Sequence, residues 1–366
     1  MTDIRVTVGT ERGDFVGTTH RALQAAVDYV ASFDGGTVKV LSGTYHMGNA
    51  LHLRDRVRLI GSGQDTILLK DPSRTTPLVN DTDWYDWHAT VQDPACFHIG
   101  GGILLRAQDP HGDATNYSKH TVVAIDGNVI RLDSQPRKNM WITHEATAST
   151  LYPIVTGNWI EDIQIRDLVL DGNRQHNDLL DGNYGGCIFL QDCKRVHIAN
   201  VIARNNHGDG ISWQICHDVT VERCISENHQ GLGLHPGSGS RRPVIRHNQI
   251  RDCRIGIFWC WGVKGGLAED NEIRGCHDYG ISIGHRDTDN IMRRNRVYHS
   301  GKAGLYFRPE EPVLRCAHRN VIEGNLFEDS GTAEASGIGI DLAAAVNGTV
   351  LKGNRIANSD AGHTQI

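Results

Sequence analysis

The chain has 366 residues, 39 % of them hydrophobic, with 41 glycines, 20 histidines, nine cysteines and a net charge of −6 with histidine neutral. That balance excludes the basic footprint of a nucleic-acid binder, and no apolar run is long enough to span a membrane. The opening Met-Thr-Asp-Ile-Arg carries no apolar signal segment, and an odd number of cysteines without C-x-x-C spacing reads as reduced, buried thiols, so the expectation is a cytoplasmic protein without a zinc site.

The first predicted element is an amphipathic helix from Thr18 to Phe33. Leu23, Ala26, Val27 and Val30 share one face, Thr18 or Thr19 is the expected cap, and Gly35-Gly36 the stop. Short alternating segments follow at Thr37–Val40, Gly43–Tyr45, Leu51–Leu53 and Val57–Gly61. They read as the first rungs of a stacked structure whose open end the helix covers, since bare strand edges need a cap. Residues 80–156 break this pattern. Phe97–Ile99, Ile103–Leu105, Thr121–Ile125 and Val129–Leu132, with a turn at Asp126-Gly127-Asn128, predict an inserted small β-subdomain. Its acidic, aromatic stretch from Asp81 to His88 offers Trp84 and Trp87 as sugar-facing rings, although packing of the insert on the solenoid is the plainer reading.

From Asn158 the rungs resume, after which a long loop from Asp171 to Gly186 leaves the first of them; such loops commonly build a binding face. Between residues 196 and 356 the chain repeats itself about every 23 or 24 positions. Glycine followed by an aliphatic residue recurs at Gly210, Gly233, Gly256, Gly280, Gly304 and Gly337. A second column holds Asn200, Asn248, Asn271, Asn295, Asn325 and Asn354, and a third holds Asn205, Asn228, Cys253, Cys276, Ser300 and Ser330. Units this short, rich in Gly, Asn and alternating β-branched residues, are rungs of an all-β right-handed parallel β-helix. Asparagine at a repeated bend suits a left-handed backbone, and stacked amides bond from rung to rung. The expected division is 1–79 (cap helix and first rungs), 80–156 (insertion) and 157–366 (main rungs).

The helix followed by Gly-Gly-Thr-Val-Lys-Val, Gly-Thr-Tyr and Leu-Ile-Gly-Ser-Gly resembles the N-terminal part of pectate-lyase-like β-helix proteins, and with the later rungs the resemblance covers most of the chain. It speaks for the fold more than for an activity, because that superfamily includes lyases, hydrolases, epimerases and proteins without known activity. It also implies side-by-side homo-oligomers and calcium held by stray carboxylates.

Alignment on the repeated glycine separates inward residues (Ile211/Trp213, Leu234/Pro236, Ile257/Trp259, Ile281/Ile283, Leu305/Phe307, Ile338/Ile340) from outward ones (Ser212/Gln214, His235/Gly237, Phe258/Cys260, Ser282/Gly284, Tyr306/Arg308, Gly339/Asp341). The outward face and its turns gather His235, Lys264, His285, Arg286, Asp287, Tyr306, Arg308, Glu310 and Asp341, with Asp209 one rung earlier and Trp261 as a platform. This concentration of His, Arg, Asp and Tyr beside Gly and Pro suits an acidic oligosaccharide. In one reading His235 or Lys264 removes the proton beside a uronate carboxylate, Tyr306 is the acid, and Arg286 and Arg308 bind the carboxylate, giving β-elimination or epimerisation. In a second, two of Asp209, Asp287, Glu310 and Asp341 hydrolyse or transfer a glycosidic bond. In a third, the solenoid binds carbohydrate or is structural. Epimerases of the superfamily carry Asp-Pro-His where this chain has His235-Pro236-Gly237, so that assignment does not carry over. The clustered aspartates and Gly-His-Gly turn of the polygalacturonases are likewise absent; His207-Gly208-Asp209-Gly210 only echoes them.

Overall fold

A computed structural model describes residues 4–109, 112, 114–331, 338–342 and 345–357. Three bends per rung set the architecture, the third at Asp218, Arg242, Gly265, Asp289, Arg319 and Gly348 with φ between +51° and +65°. At the first, Arg223, His247, Asp270, Arg294, Gly324 and Gly353 all have φ between +52° and +62°; at the second, Asn205, Asn228, Asp252, Gly275, His299 and Asp329 lie between +49° and +66°. Each left-handed residue turns the chain after three or four extended residues, so a rung closes on itself and the next lies parallel above it. The strands before and after the first bend stack into one 20-stranded sheet. The strand after the second bend stacks into a nine-stranded sheet running from Leu51–His52 through Val155–Asn158, Ile188–Gln191, Ile211–Gln214, Leu232–Pro236, Ile255–Phe258, Tyr279–Ile283 and Ala303–Phe307 to Ile338–Asp341. The result is the expected right-handed parallel β-helix, and Ile211, Trp213, Leu234, Ile257, Trp259, Ile281, Ile283, Leu305, Phe307 and Ile340 fill its interior. Gly337 lies outside the described residues.

The asparagine column is a hydrogen-bonded ladder with a different membership from the expected one. Asn248, Asn271, Asn295, Asn325 and Asn354 follow the left-handed residue instead of occupying it. Each amide nitrogen donates to the next side-chain oxygen at 2.9–3.0 Å, and each rung's backbone N–H at this column donates to the same oxygen. Cys224 takes the place in the rung below, its N–H donating to Asn248 at 2.9 Å. Asn200 is outside the ladder, exposed, left-handed itself, and bonded to Asp167. The small-residue column is also displaced by one: Cys253, Cys276, Ser300 and Ser330 are interior, but the residue stacked below them is the buried His229, while Asn205 and Asn228 stand at the outer corner.

Helix α1 (His20–Ala31) closes one end with Leu23, Ala26, Val27 and Val30 buried. It is shorter than expected: Thr19 is its N-cap without a side-chain bond, and the chain turns at Ser32, before Gly35-Gly36. An opening strand, Arg5–Gly9, pairs in parallel with Gly36–Val40 and was not legible in the pattern. Strands from Thr75 to Ser149 form a separate six-stranded antiparallel sheet with its own core of Leu78, Val91, Ile103, Leu105, Val122, Ile130 and Met140. Phe97–Ile99 is not one of its strands; it follows a helical turn at Pro94–Cys96, which Asp93 caps by accepting from the Ala95 N–H.

The ladder makes a stability prediction. Asn271→Ala or Asn295→Ala strands buried backbone donors and should cost about 1–3 kcal/mol in urea unfolding, whereas Asn200→Ala should stay within about 0.5 kcal/mol; equal effects at all three positions would refute the assigned membership.

Candidate functional site

Parallel register sets the outer face of the nine-stranded sheet as two columns. His52, Thr156, Phe189, Ser212, His235, Phe258, Ser282, Tyr306 and Asp341 succeed one another rung by rung. Two residues further along run Asn158, Gln191 and Gln214, then Gly237, Cys260, Gly284 and Arg308. The two glycines make room for large neighbours. A Cβ on Gly237 would fall 2.2 Å from the Gln214 amide, and one on Gly284 would fall 2.6 Å from the Arg308 guanidinium.

This face is outward yet largely covered: Ser212, His235 and Ser282 are at most 2 % exposed. The loop between Gly172 and Gly186 leans over it. Ser212 Oγ donates to the Gly182 carbonyl at 2.8 Å, and any side chain at 182 would collide with Asp209. Between loop and sheet lies a cleft of about 590 Å³ lined by Asp181, Tyr184, Gln191, Asp209, Gln214, His235, Arg254, Phe258, Cys260 and Trp261, among others. At its floor Asp209 accepts from the Leu232 N–H and from His235 Nδ1, both at 2.8 Å. Burial alone would lower the His235 pKa; the hydrogen bond and charge of Asp209, with a contribution from Cys260, overcome it and hold His235 up at about 9. His235 therefore favours the imidazolium form at neutral pH, its ring centroid 5.4 Å from that of Phe258 in an edge-to-face arrangement. Trp261, 57 % exposed, stacks on His285 at 4.9 Å and presents its indole to the cleft.

A second, more enclosed pocket of about 180 Å³ adjoins the first and shares Gln191 with it. The antiparallel insertion supplies one wall, and His52, Lys119, His120, Asp133, Tyr152 and Phe189 line it. The Lys119 amine donates to the Tyr184 carbonyl and stands 3.8 Å over the Phe189 ring. Burial pushes its pKa down to about 7. His52 Nε2 is buried without a partner, and burial lowers that imidazole as well. None of these residues was singled out from the sequence: Lys119 reaches the rungs only through the folding of the insertion.

The remaining candidates separate into groups. Asp287 is fully buried and holds a turn: Oδ1 accepts from the Gly262 and Val263 N–H groups, Oδ2 from Gly284 N–H, and Arg308 stands 3.4 Å away. Arg308 is itself occupied, donating to Ser282 Oγ and the Trp259 carbonyl and lying 4.3 Å over Phe258. Glu310 accepts from or pairs with His285 at 2.9 Å. Tyr306 stacks on Tyr279 at 4.3 Å near the far end of the face, with Asp341 in register beside it. Lys264 is exposed on the column Arg241–Lys264–Thr288, outside the cleft, and Arg286 is exposed on its turn. Trp84 and Trp87 are exposed on the insertion and line neither pocket. Among the described residues no group of three or more His, Cys, Asp or Glu is arranged to hold a metal ion, and no helix is long and apolar enough to cross a membrane. The cysteines are all free thiols, eight of the nine buried.

A family model described as right handed beta helix region matches residues 186–356. The chain is similar in structure to an alginate lyase from Paenibacillus sp. (10 % identity over 98 % of this chain and 99 % of that one, TM-score 0.54). It is similar to the A-module of the Azotobacter vinelandii mannuronan C-5 epimerase AlgE6 (14 %, 93 % and 84 %, 0.52). A third is the Dettilon tailspike protein (12 % identity, TM-score 0.51), where the match covers 92 % of this chain and 57 % of that longer one. At such identities the likeness is one of fold. No curated protein matches the chain.

The Asp209–His235 pair predicts a pH signature. A pKa raised in the folded state gives stability that is complete below about 6.5 and lost as pH rises through about 9. Relative to Asp209→Asn, the wild type should lose on the order of 3 kcal/mol of unfolding free energy between those limits; parallel curves for the two proteins would exclude a charged pair.

Proposed function

We propose that this right-handed parallel β-helix is a carbohydrate-modifying enzyme that binds a uronate-containing oligosaccharide along the groove and removes the proton beside the carboxylate, by β-elimination or epimerisation. One observation carries this reading: two groups in adjoining pockets that share Gln191 have pKa values pushed in opposite directions, Lys119 down to about 7 and His235 up to about 9. Near neutral pH these pockets thus present an amine that is partly uncharged and a charged imidazolium together, the pair of states that acid–base chemistry requires. Phe189, beneath Lys119, and His235 are two rungs apart in register, roughly 10 Å at ~4.8 Å per rung.

In this arrangement the uronate carboxylate faces His235 and Arg254, and the neutral Lys119 amine takes the adjacent carbon's proton. Negative charge then builds on the carboxylate as an enolate, which the fixed imidazolium stabilises in a covered site. Trp261 and Tyr184 offer flat faces to neighbouring sugar rings. His235 therefore serves as cation and acid, not as base, and Lys264 has no part. The hydrolytic reading is less well supported: Asp209 is committed to His235 and Leu232, Asp287 to three backbone donors, and Glu310 to His285, which leaves Asp181 without a second free carboxyl group in the cleft. Buried free thiols accord with a reducing compartment, as expected for a cytoplasmic enzyme.

The test is mass spectrometry of uronate oligosaccharides incubated with the protein in heavy water. A dehydrated fragment, or deuterium gained without cleavage, is the expected product. kcat/KM should rise as pH approaches about 7 and fall beyond about 9. Lys119→Met should reduce kcat by about 10²-fold or more. A fragment heavier by one water would establish hydrolysis and sink this reading, and so would a rate indifferent to both pKa values.

A further inference from the structure

The cleft floor holds two buried side-chain nitrogens that have no hydrogen-bond partner among the described residues. The first is Nε2 of His235, a residue 2 % exposed whose Nδ1 is bound to Asp209 at 2.8 Å. In the imidazolium form that Asp209 favours, this Nε2 carries an N–H. The second is Nε2 of Gln214, 6 % exposed. The orientation of that amide is fixed: one end accepts from the Ser238 N–H at 2.7 Å, so that end is the oxygen and the NH₂ end is left over. Ser212 and His235 are register partners, so Gln214 starts one rung below His235 and two residues along. Its amide leans across Gly237, where a Cβ would fall 2.2 Å from it, and so reaches the rung of His235 itself. His235 and Gly237 are two residues apart, roughly 7 Å along a strand. Both His235 and Gln214 line the same cleft. By contrast Trp213 and Trp259, whose indole nitrogens are also unpartnered, belong to the closed core of the solenoid. Burying a donor without an acceptor is costly, and two such donors side by side on a cleft floor mark a place where a ligand supplies the acceptor.

We propose that Gln214 and His235 together form the subsite for a sugar carboxylate, one oxygen accepting from Gln214 Nε2 and the other from His235 Nε2, and that Gln214 makes the cleft prefer an acid to the corresponding neutral sugar. The inference rests on the reading that a uronate occupies the cleft, and it assigns the groups that hold the uronate's charged end. A carboxylate is a planar monoanion that takes two directed donors, and here one of the two bonds is charge-assisted. A neutral sugar offers hydroxyl groups, which bring further donors to a floor already short of acceptors. A sulfate or phosphate group carries more acceptor oxygens than these two donors serve. Gly237 is part of the same arrangement, because a side chain there would displace the Gln214 amide from beside His235. Gln214 binds and orients the ligand, and no bond is made or broken at it.

The test is binding, measured by calorimetry on the intact chain. The probes are the methyl glycosides of glucuronic, galacturonic and mannuronic acid, each beside its methyl ester and its neutral hexose counterpart; none carries a sugar at O4 to be eliminated. At least one acid should bind about tenfold or more tightly than its own ester and hexose. Gln214→Glu keeps the oxygen that the Ser238 N–H requires and replaces the free donor by a second oxygen, so it should abolish that preference while circular dichroism shows an unchanged fold. Gly237→Ala keeps both donors and displaces the amide, so it should weaken the acid and leave the hexose as before. Wild-type binding that does not distinguish any acid from its ester, or acid binding by Gln214→Glu as tight as by the wild type, would overturn the subsite. Sulfate competing with the acid as effectively as acetate would overturn its assignment to a carboxylate. These readouts need no turnover. Acid-selective binding without dehydrated or deuterated products would defeat the elimination reading alone, and dehydrated products with KM unchanged in Gln214→Glu would defeat the subsite alone.

Discussion

Everything in this molecule depends on keeping one rung in register above the next. The asparagine ladder does this work: each side-chain oxygen receives both an amide and a backbone N–H from the preceding rung, and each amide reaches a backbone carbonyl as well. A slip of one residue would leave those buried groups without partners and turn every apolar side chain to the wrong face. The left-handed residue just before each ladder asparagine supplies the bend, so shape and register are set within two adjacent positions. Asp287 repeats the device on the opposite side of the rung, satisfying three backbone donors at one turn.

Fixed register converts sequence distance into geometry. Asp209, His235 and Cys260 are spaced about one rung apart in sequence, and stacking sets them diagonally on one face. Covering that face changes what they can do. The Gly172–Gly186 loop and the antiparallel insertion cover part of it, and the covered environment has opposite consequences for the two groups. His235 meets a carboxylate and keeps its proton; Lys119 meets an aromatic ring and a carbonyl and gives its proton up more readily. The same burial thus goes with pKa values moved in opposite directions, because the partners differ. Small residues at Gly237 and Gly284 admit Gln214 and Arg308 to the floor without crowding.

The sequence by itself determined the solenoid. A 23- to 24-residue period, alternating apolar residues and recurrent glycines allow no other way to bury the apolar faces, and the inward residues follow from that alternation. It also identified the outward face and placed His235 and Asp209 on it, because register follows from the repeat. It misplaced Asn200, Asn205 and Asn228 by one position, since the left-handed bend and the stacked amide are neighbours in sequence and periodicity alone cannot tell them apart. Which outward residues meet was left to the tertiary structure. Lys119 belongs to an aperiodic insertion, so no repeat relates it to His235. The commitment of Asp287, Glu310 and Arg308 to backbone and side-chain partners appears only when turns from different rungs pack together. Periodicity encodes neighbours along the stack; what covers the stack, and so sets the charge of its groups, depends on contacts that no period records.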